Sequence, residues 1–235
     1  MWLKAPNIQA LHGFSTRHGG LSPAPFDSLN LGGSDDLNEN ILANRKIALN
    51  ALGLDFDSLC TLKQLHSADV CVASKGRQEG DALVSRQKGQ ILAVSIADCY
   101  PVLLEDPVNR VVGAVHAGWR GTLGRIAANA VKAMNNLGAD VSQIRVAIGQ
   151  GISQNRFEVG TDVLEKFIAA GFSEAHIRAR TLDLAACNKQ VLTDSGVPEE
   201  NIWTMGRCTY EADFFSHRRD KGRTGRMWAL IALRD

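Results

Sequence analysis

The residues of this chain best suited to chemistry are Cys99 and His116, which stand at the two ends of an apolar hairpin pattern, CYPVLLEDPVNRVVGAVH. A thiolate and an imidazole make either a pair of metal ligands or a nucleophile with its base. Residues 106–109 carry the turn chemistry. With those four as the turn, Glu105 faces Arg110, Leu104 faces Val111 and Val102 faces Gly113. The same count sets Cys99 directly opposite His116. Facing residues of an antiparallel pair have Cβ atoms about 4.5–5.5 Å apart, a separation at which both side chains can hold one tetrahedral ion. Pro101 lies inside the run and cannot donate to the ladder. A bulge there slips the register by one and turns the two side chains to opposite faces.

A site with one open position needs a third protein ligand. The chain has six histidines. His66 lies in KQLHSAD, at an interruption between short strand patterns, and His217 lies in a basic C-terminal stretch. Spacing leaves both open and prefers His66. His12 and His18 fall in an N-terminal loop and His176 near a helix end. The plainer readings are a cysteine that serves as a small buried hydrophobe and a histidine that is a hydrogen-bonded structural residue.

Arginines supply the anion side. Arg120 falls in GWRGT, where a strand passes into a helix N-terminus, a natural place for phosphate or carboxylate. Arg17 lies in FSTRHGG, Arg45 on a helix after a long loop, and Arg218, Arg219, Arg223 and Arg226 crowd a C-terminal basic loop. A solvated basic face is the simpler reading for Arg223 and the neighbouring Lys221. Trp119 can stack a planar ring or serve in a core or lid.

The elements that must position these residues follow from pattern. Residues 12–34, rich in Gly, Ser, Pro and Asn, read as one long irregular loop, or else as a mobile N-terminal arm. Residues 36–52 read as a helix with Ile41, Ala48 and Leu52 toward a core and Gly53 as its stop. Strand patterns occupy 59–65, 69–73, 81–85 and 91–97. After the hairpin, AGWRGT leads into a helix at 122–136 closed by Gly138. A strand at 144–149, a helix ending at Gly171 and another stopped by Gly196 come next. FFSHRRDKGRTGRMWALIAL then reads as a strand, a basic loop and a closing strand. Interleaved strands and helices with an antiparallel hairpin argue for α/β: one domain over 1–235 with a mixed β-sheet flanked by helices.

Composition sets the outer limits. The 235 residues suffice to bury a core without staples. A net charge of +1 gives no global attraction to nucleic acid or an anionic membrane, so any affinity for anions is local. Five scattered cysteines, odd in number and never CxxC, argue against a disulfide framework and for a reducing compartment. Neither a signal-peptide pattern nor a run of roughly 20 apolar residues is present, which makes the cytoplasm the expected location. A monomer is the favoured state.

TLKQLHSADV, GDALVS, IADCYPVLLEDP, VGAVHAGWRGT, FEVG and CTYEADFFSHRRDKGRTGR resemble the successive motifs of the YfiH-like family, also named the multicopper polyphenol oxidase or laccase domain family. The resemblance runs from FSTRHGG at 14–20 to GRTGR at 222–226. It implies a single α/β domain, similar also to bacterial toxins with a Cys–His deamidase site. It implies one zinc held by His66, Cys99 and His116, a donor set that also takes copper. The implied activities are phosphorolysis of adenosine, inosine or methylthioadenosine and deamination of adenosine, with quality control of peptidoglycan precursors for some members. Three features depart from the family: Gly149-Gln150-Gly151-Ile152 stands for Gly-Pro-Cys-Ile, Phe157 for the Tyr before EVG, and His217 for the Tyr of FSYRR.

Ligand arithmetic tests the laccase name. A blue-copper centre takes two His and one Cys, and a trinuclear copper cluster beside it needs more histidines than the six available. Multicopper oxidation by a monomer is therefore set aside. Under the zinc reading His66, Cys99 and His116 carry catalysis, and Asp98, Asp81 or His217 supplies a proton. Arg17, Arg45, Arg120 and Arg218 are the candidates for holding substrate and phosphate. Asp81 and Asp98 also have a plain structural reading, in a turn or bonded to backbone. Two other functions compete: a metal-free Cys99–His116 hydrolase or deamidase, and a peptidoglycan-precursor editing or binding protein without turnover.

Overall fold

Alternation within the apolar runs decides which way each strand faces. At 91–94, Leu92 and Val94 turn to one side and Ile91 and Ala93 to the other, and all four are buried. Such a strand must be covered on both faces. A computed structural model describes residues 1–33 and 35–234 of the chain. Along it β1 (Trp2–Leu3) and β2 (Leu11–Ser15) precede α1 (Asn38–Asn50). Five strands follow: β3 (Leu59–Lys63), β4 (Val70–Val72), β5 (Gly76–Glu79), β6 (Ala82–Ser85) and β7 (Ile91–Ile96). The hairpin is β8 (Tyr100–Asp106) and β9 (Val111–Ala117), after which come α2 (Trp119–Leu123), α3 (Ile126–Asn136), β10 (Arg145–Ile148) and α4 (Thr161–Ala169). The short β11 (Ile177–Arg178) and β12 (Thr181–Leu182), then α5 (Leu184–Asp194), β13 (Ile202–Thr204) and β14 (Met227–Ala232) complete the order.

The expected α/β class holds, with two mixed sheets in place of one. Their strand orders are β1-β2-β14-β7-β3-β5 and β13-β10-β8-β9-β6-β4, with β11–β12 a separate ribbon. Phe14, Leu92, Val94 and Ile231 of the first sheet meet Leu83, Leu103, Val112 and Ala147 of the second in a shared apolar core. Ala48 and Leu49 of α1 cover the outer face of the first sheet at Ile91, Ala93, Trp228 and Leu230. Helices α3, α4 and α5 cover the outer face of the second at Val84, Val102, Val115 and Val146. The layers therefore run helix, sheet, sheet, helices.

The hairpin register differs from the expected one by two residues. Leu104 pairs with Gly113 and Pro101 with His116, so the turn is 107–110. The cause is Asp106, whose carboxylate accepts the backbone N–H groups of Val108 (2.9 Å) and Asn109 (3.0 Å) and so builds the turn after itself. A shift of two keeps side chains on their face, so Cys99 stays on the His116 side, diagonal to it instead of opposite. Pro101 needs no bulge. Its carbonyl accepts from the Gly149 N–H (2.9 Å), so the missing N–H also points toward β10 and takes nothing from the β8–β9 ladder.

Four other expectations are corrected. The loop expected at 12–34 starts later, because β2 claims 11–15 by pairing with β1 and β14, and local composition carries no trace of that long-range pairing. Phe26, Leu29 and Leu31 in the remainder are buried, as in a packed loop and unlike an arm; Ser34, the last residue of that span, lies outside the described residues, as does Asp235. The helix expected at 122–136 is two, since α2 already starts at Trp119 and Arg125 breaks the run at φ +57°. No strand forms at 214–216: Phe214 and Phe215 are buried in turns held by Arg219, which donates to the carbonyls of Thr209, Tyr210, Glu211 and Phe214. Strand β5, GRQE, has no apolar signal and exists by parallel pairing with β3. Helix α1 falls inside the expected 36–52, with Ile41 and Ala48 buried, Leu52 partly so, and Gly53 at φ +65°.

Leu103 is fully buried between the sheets. Leu103→Ala is expected to cost about 2–5 kcal/mol of stability in urea unfolding, the usual toll of a core cavity.

Candidate active site

Asp81, immediately before β6, organises the site from below. It is fully buried. Its carboxylate accepts hydrogen bonds from the backbone N–H groups of Leu65 (3.1 Å), His66 (3.1 Å) and Ser67 (2.7 Å), and from the Ser67 hydroxyl (2.9 Å). These bonds wrap residues 65–67 over it and hold His66 at φ +58°. The same carboxylate lies 2.8 Å from His116 Nδ1. Burial alone would raise the Asp81 pKa, but the bonds from His116 and Ser67 outweigh it and hold the group down at about 2. An ionised carboxylate only accepts, so Nδ1 carries a proton toward Asp81 and Nε2 is the ring nitrogen turned to the rest of the cluster.

The three residues that resemblance selects come together. The ligand atoms of His66, Cys99 and His116 lie within 4.8 Å of one another, and the two imidazole centroids are 4.9 Å apart at 81°. Burial raises the Cys99 pKa, yet the His116 charge and hydrogen bonds from His116 and His66 bring it down to about 6. Burial lowers that of His116, yet the Cys99 charge and the Asp81 bond lift it to about 9. Thiolate is thus the favoured form of the sulfur, and thiolate is what binds a metal or attacks a carbon. Gly118 makes the approach possible. A Cβ there would sit 3.0 Å from Cys99 Sγ and 3.1 Å from His66 Cδ2.

This cluster borders a cavity of about 900 Å³. Helix α1 supplies Ile41 and Arg45 to its wall, the first sheet supplies Thr61, Ser95 and Trp228, and Phe157 closes part of the far side. Asp98 also lines it, at φ +93° and 9% exposed. Its carboxylate accepts the hydroxyls of Thr209 (2.6 Å) and Ser216 (2.7 Å) and the Arg218 N–H (2.7 Å). Those bonds fasten the 209–218 segment beside Cys99 and bring His217 and Arg218 into the wall.

The expected arginines divide. Arg45 and Arg218 line the cavity. Arg17 and Arg120 do not: Arg17 is ion-paired with Asp27 (3.0 Å) and lies 4.7 Å over the Phe215 ring, while Arg120 is exposed and stacks at 4.4 Å on Trp119. Arg77 and Arg226 stand in the wall instead. Arg226 showed in the sequence only as one of a basic cluster. Arg77 had no local signal, since the β3–β5 register that sets it beside Thr61 creates its position. Among the described residues no carboxylate lies within ion-pairing distance of the Arg45, Arg77, Arg218 or Arg226 guanidinium. His66, Cys99 and His116 are also the one set of three metal-type ligands gathered within reach of one another among the described residues. No described helix is long and apolar enough to cross a membrane.

Asp81→Asn is expected to weaken the cluster's affinity for an added divalent metal about 10–100-fold, the usual effect of losing the carboxylate behind a histidine that ligates one, as read by competition with a chromophoric chelator. Because its folded pKa of about 2 lies below the unfolded value, Asp81 stabilises the fold above about pH 4 and loses that contribution as pH falls through 2. Unfolding free energy measured across that interval should therefore fall more steeply in the wild type than in the Asn variant.

Residues 11–234 match the family model described as multi-copper polyphenol oxidoreductase laccase. A purine nucleoside phosphorylase of Deinococcus radiodurans is 47% identical over 98% of this chain and 92% of its own length. Adenosine deaminase RL5, from an unknown prokaryotic organism, is 36% identical over 94% of each chain. The crystal structure of YlmD from Geobacillus stearothermophilus superposes with a TM-score of 0.95 at 34% identity, covering 100% of this chain and 96% of that one. That of a hypothetical protein YfiH from Bacillus licheniformis gives 0.91 at 32%, covering 96% and 93%. With relatives of this kind matched over nearly its whole length, the chain is an enzyme and belongs to the multi-copper polyphenol oxidoreductase laccase family, the YfiH-like family that its motifs resemble.

Proposed function

We propose that the chain is a zinc-dependent purine nucleoside phosphorylase, acting on adenosine, inosine and methylthioadenosine, that also deaminates adenosine. One observation carries the reading: a His66–Cys99–His116 cluster and guanidiniums without carboxylate partners border the same cavity. A purine nucleoside is neutral. Cations without ion-pair partners beside a nucleoside-sized cavity therefore suit a second reactant with negative charge, as phosphate has. The relatives named purine nucleoside phosphorylase and adenosine deaminase support the same choice.

The donor set fits zinc, with two imidazoles and a thiolate leaving a fourth position open, and Asp81 fixes one imidazole by accepting from its Nδ1. When bound, the ion supplies Lewis acidity at that end of the cavity. Phosphorolysis forms a bond from a phosphate oxygen to C1′ and breaks the bond from C1′ to purine N9. The electron pair leaves on the purine, which takes up a proton. Asp81 cannot provide it, being held ionised by His116 and the 65–67 turn. Asp98 already accepts three donors and serves as a positioning residue for the 209–218 segment. His217, in the cavity wall, is then the proton source. Deamination exchanges the C6 amino group for oxygen from water, releases ammonia and uses no phosphate. All five cysteines are free, which supports a reducing, cytoplasmic setting.

A second reading draws on the order Cys99, His116, Asp81, which is that of a nucleophile, its base and an orienting carboxylate. The two readings part in one assay. Inosine with phosphate should give hypoxanthine and ribose 1-phosphate, with no release when phosphate is omitted. Removing metal with a chelator should abolish turnover and zinc should restore it. Turnover that survives metal removal but not iodoacetamide selects the thiol hydrolase.

A further inference from the structure

Three arginines of the cavity wall converge where a neutral nucleoside supplies no charge, and of the three only Arg226 also feels the negative charge of Cys99 and Asp98. Arg45 donates from Nε to the Leu31 carbonyl (2.8 Å) and lies 5.1 Å over the Trp228 ring, which fixes its plane and leaves both terminal nitrogens uncommitted. Arg226 donates from one terminal nitrogen to the Thr224 and Gly225 carbonyls (2.9 and 3.0 Å), which leaves Nε and the other nitrogen. The two meet across Gly32, where an added Cβ would lie 3.4 Å from the Arg45 terminal nitrogen and 4.0 Å from Arg226 Cβ. Arg77 comes from β5, on the face that Thr61 shares with α1. The nearest acid on its own strand, Glu79, is ion-paired with Lys63 at 2.7 Å. Burial and the Arg77 charge together push the Arg45 pKa below its ordinary value.

Like charges held together in a partly desolvated wall repel, and that arrangement persists when an anion repays it. Guanidinium forks with free nitrogens match the oxygens of a phosphate bidentately. We propose that Arg45, Arg77 and Arg226 form a subsite for a phosphate dianion at the α1 end of the cavity. Its assignment to a co-substrate rests on the phosphorylase reading; its chemistry does not. The dianion is either free inorganic phosphate or the 5′-phosphate of a nucleotide.

Calorimetric titration of the zinc-loaded protein with inorganic phosphate, inosine and inosine 5′-monophosphate tests it, in wild type, Arg77→Gln and Arg120→Gln. Arg77 is exposed on an edge strand, so its substitution leaves the core intact. Arg120→Gln removes the same charge outside the cavity. Phosphate affinity should fall about tenfold in Arg77→Gln, the toll of one lost charge-assisted contact, and stay at the wild-type value in Arg120→Gln. Free phosphate is the source when inosine and its monophosphate bind alike; the 5′-phosphate is the source when the monophosphate binds more tightly and Arg77→Gln erases the difference. Equal loss in both variants, or none in Arg77→Gln for either phosphate ligand, overturns the subsite. Because binding is read without turnover, a protein that binds phosphate through Arg77 but cleaves no nucleoside keeps the subsite and ends the phosphorylase reading. Phosphorolysis whose KM for phosphate is unchanged in Arg77→Gln does the reverse.

Discussion

Both histidines of the cluster depend on one buried carboxylate. Asp81 holds the 65–67 turn through its backbone N–H groups and the His116 ring through Nδ1. Its main-chain carbonyl accepts the His116 N–H as well, at 2.8 Å, so ring and backbone of that residue are tied to the same place. Taking an unpaired carboxylate out of water is costly, and the donors that compensate it are those that must be ordered for His66 to reach Cys99. The turn that carries His66 and the strand that carries His116 thus become parts of one unit. Cys99 joins it from the far side of the hairpin, where Gly118 gives it room.

Asp98 does for the cavity what Asp81 does for the cluster. It precedes Cys99, and its three accepted bonds draw in a segment more than a hundred residues away in sequence. Arg219 then closes the turns of that segment on four of its own carbonyls. Two acids the sequence offered as proton donors are thus largely spent on holding shape. Under the proposed function the groups left to meet a substrate are the cluster, His217 and the arginines of the cavity wall, a division between scaffold carboxylates and reactive bases and cations.

How much of this could be read from the residues varied with the range of the interaction involved. The hairpin count placed Cys99 and His116 on one face although the register was wrong, because Asp106 moved the turn by two residues and an even shift preserves the face. Spacing prefers His66 to His217 only slightly and family motifs separate them, and the structure puts both at the cavity. Helices with glycine stops were legible, since Gly53, Gly138, Gly171 and Gly196 all adopt positive φ. Arg77 was not, because a parallel pairing between polar and apolar segments leaves no mark on either. Arg120 was misplaced for a related reason: a helix N-terminus in the sequence says nothing of whether its side chains face a cavity or, as here, stack on Trp119 in solvent.

The central claim is that His66, Cys99 and His116 hold a zinc ion on which the enzyme depends. Metal content per chain, measured by mass spectrometry on wild type and Cys99→Ala beside inosine turnover, addresses it most directly. The account predicts about one zinc per wild-type chain, lost together with activity in the variant. Wild-type protein that carries no metal and is fully active would contradict it.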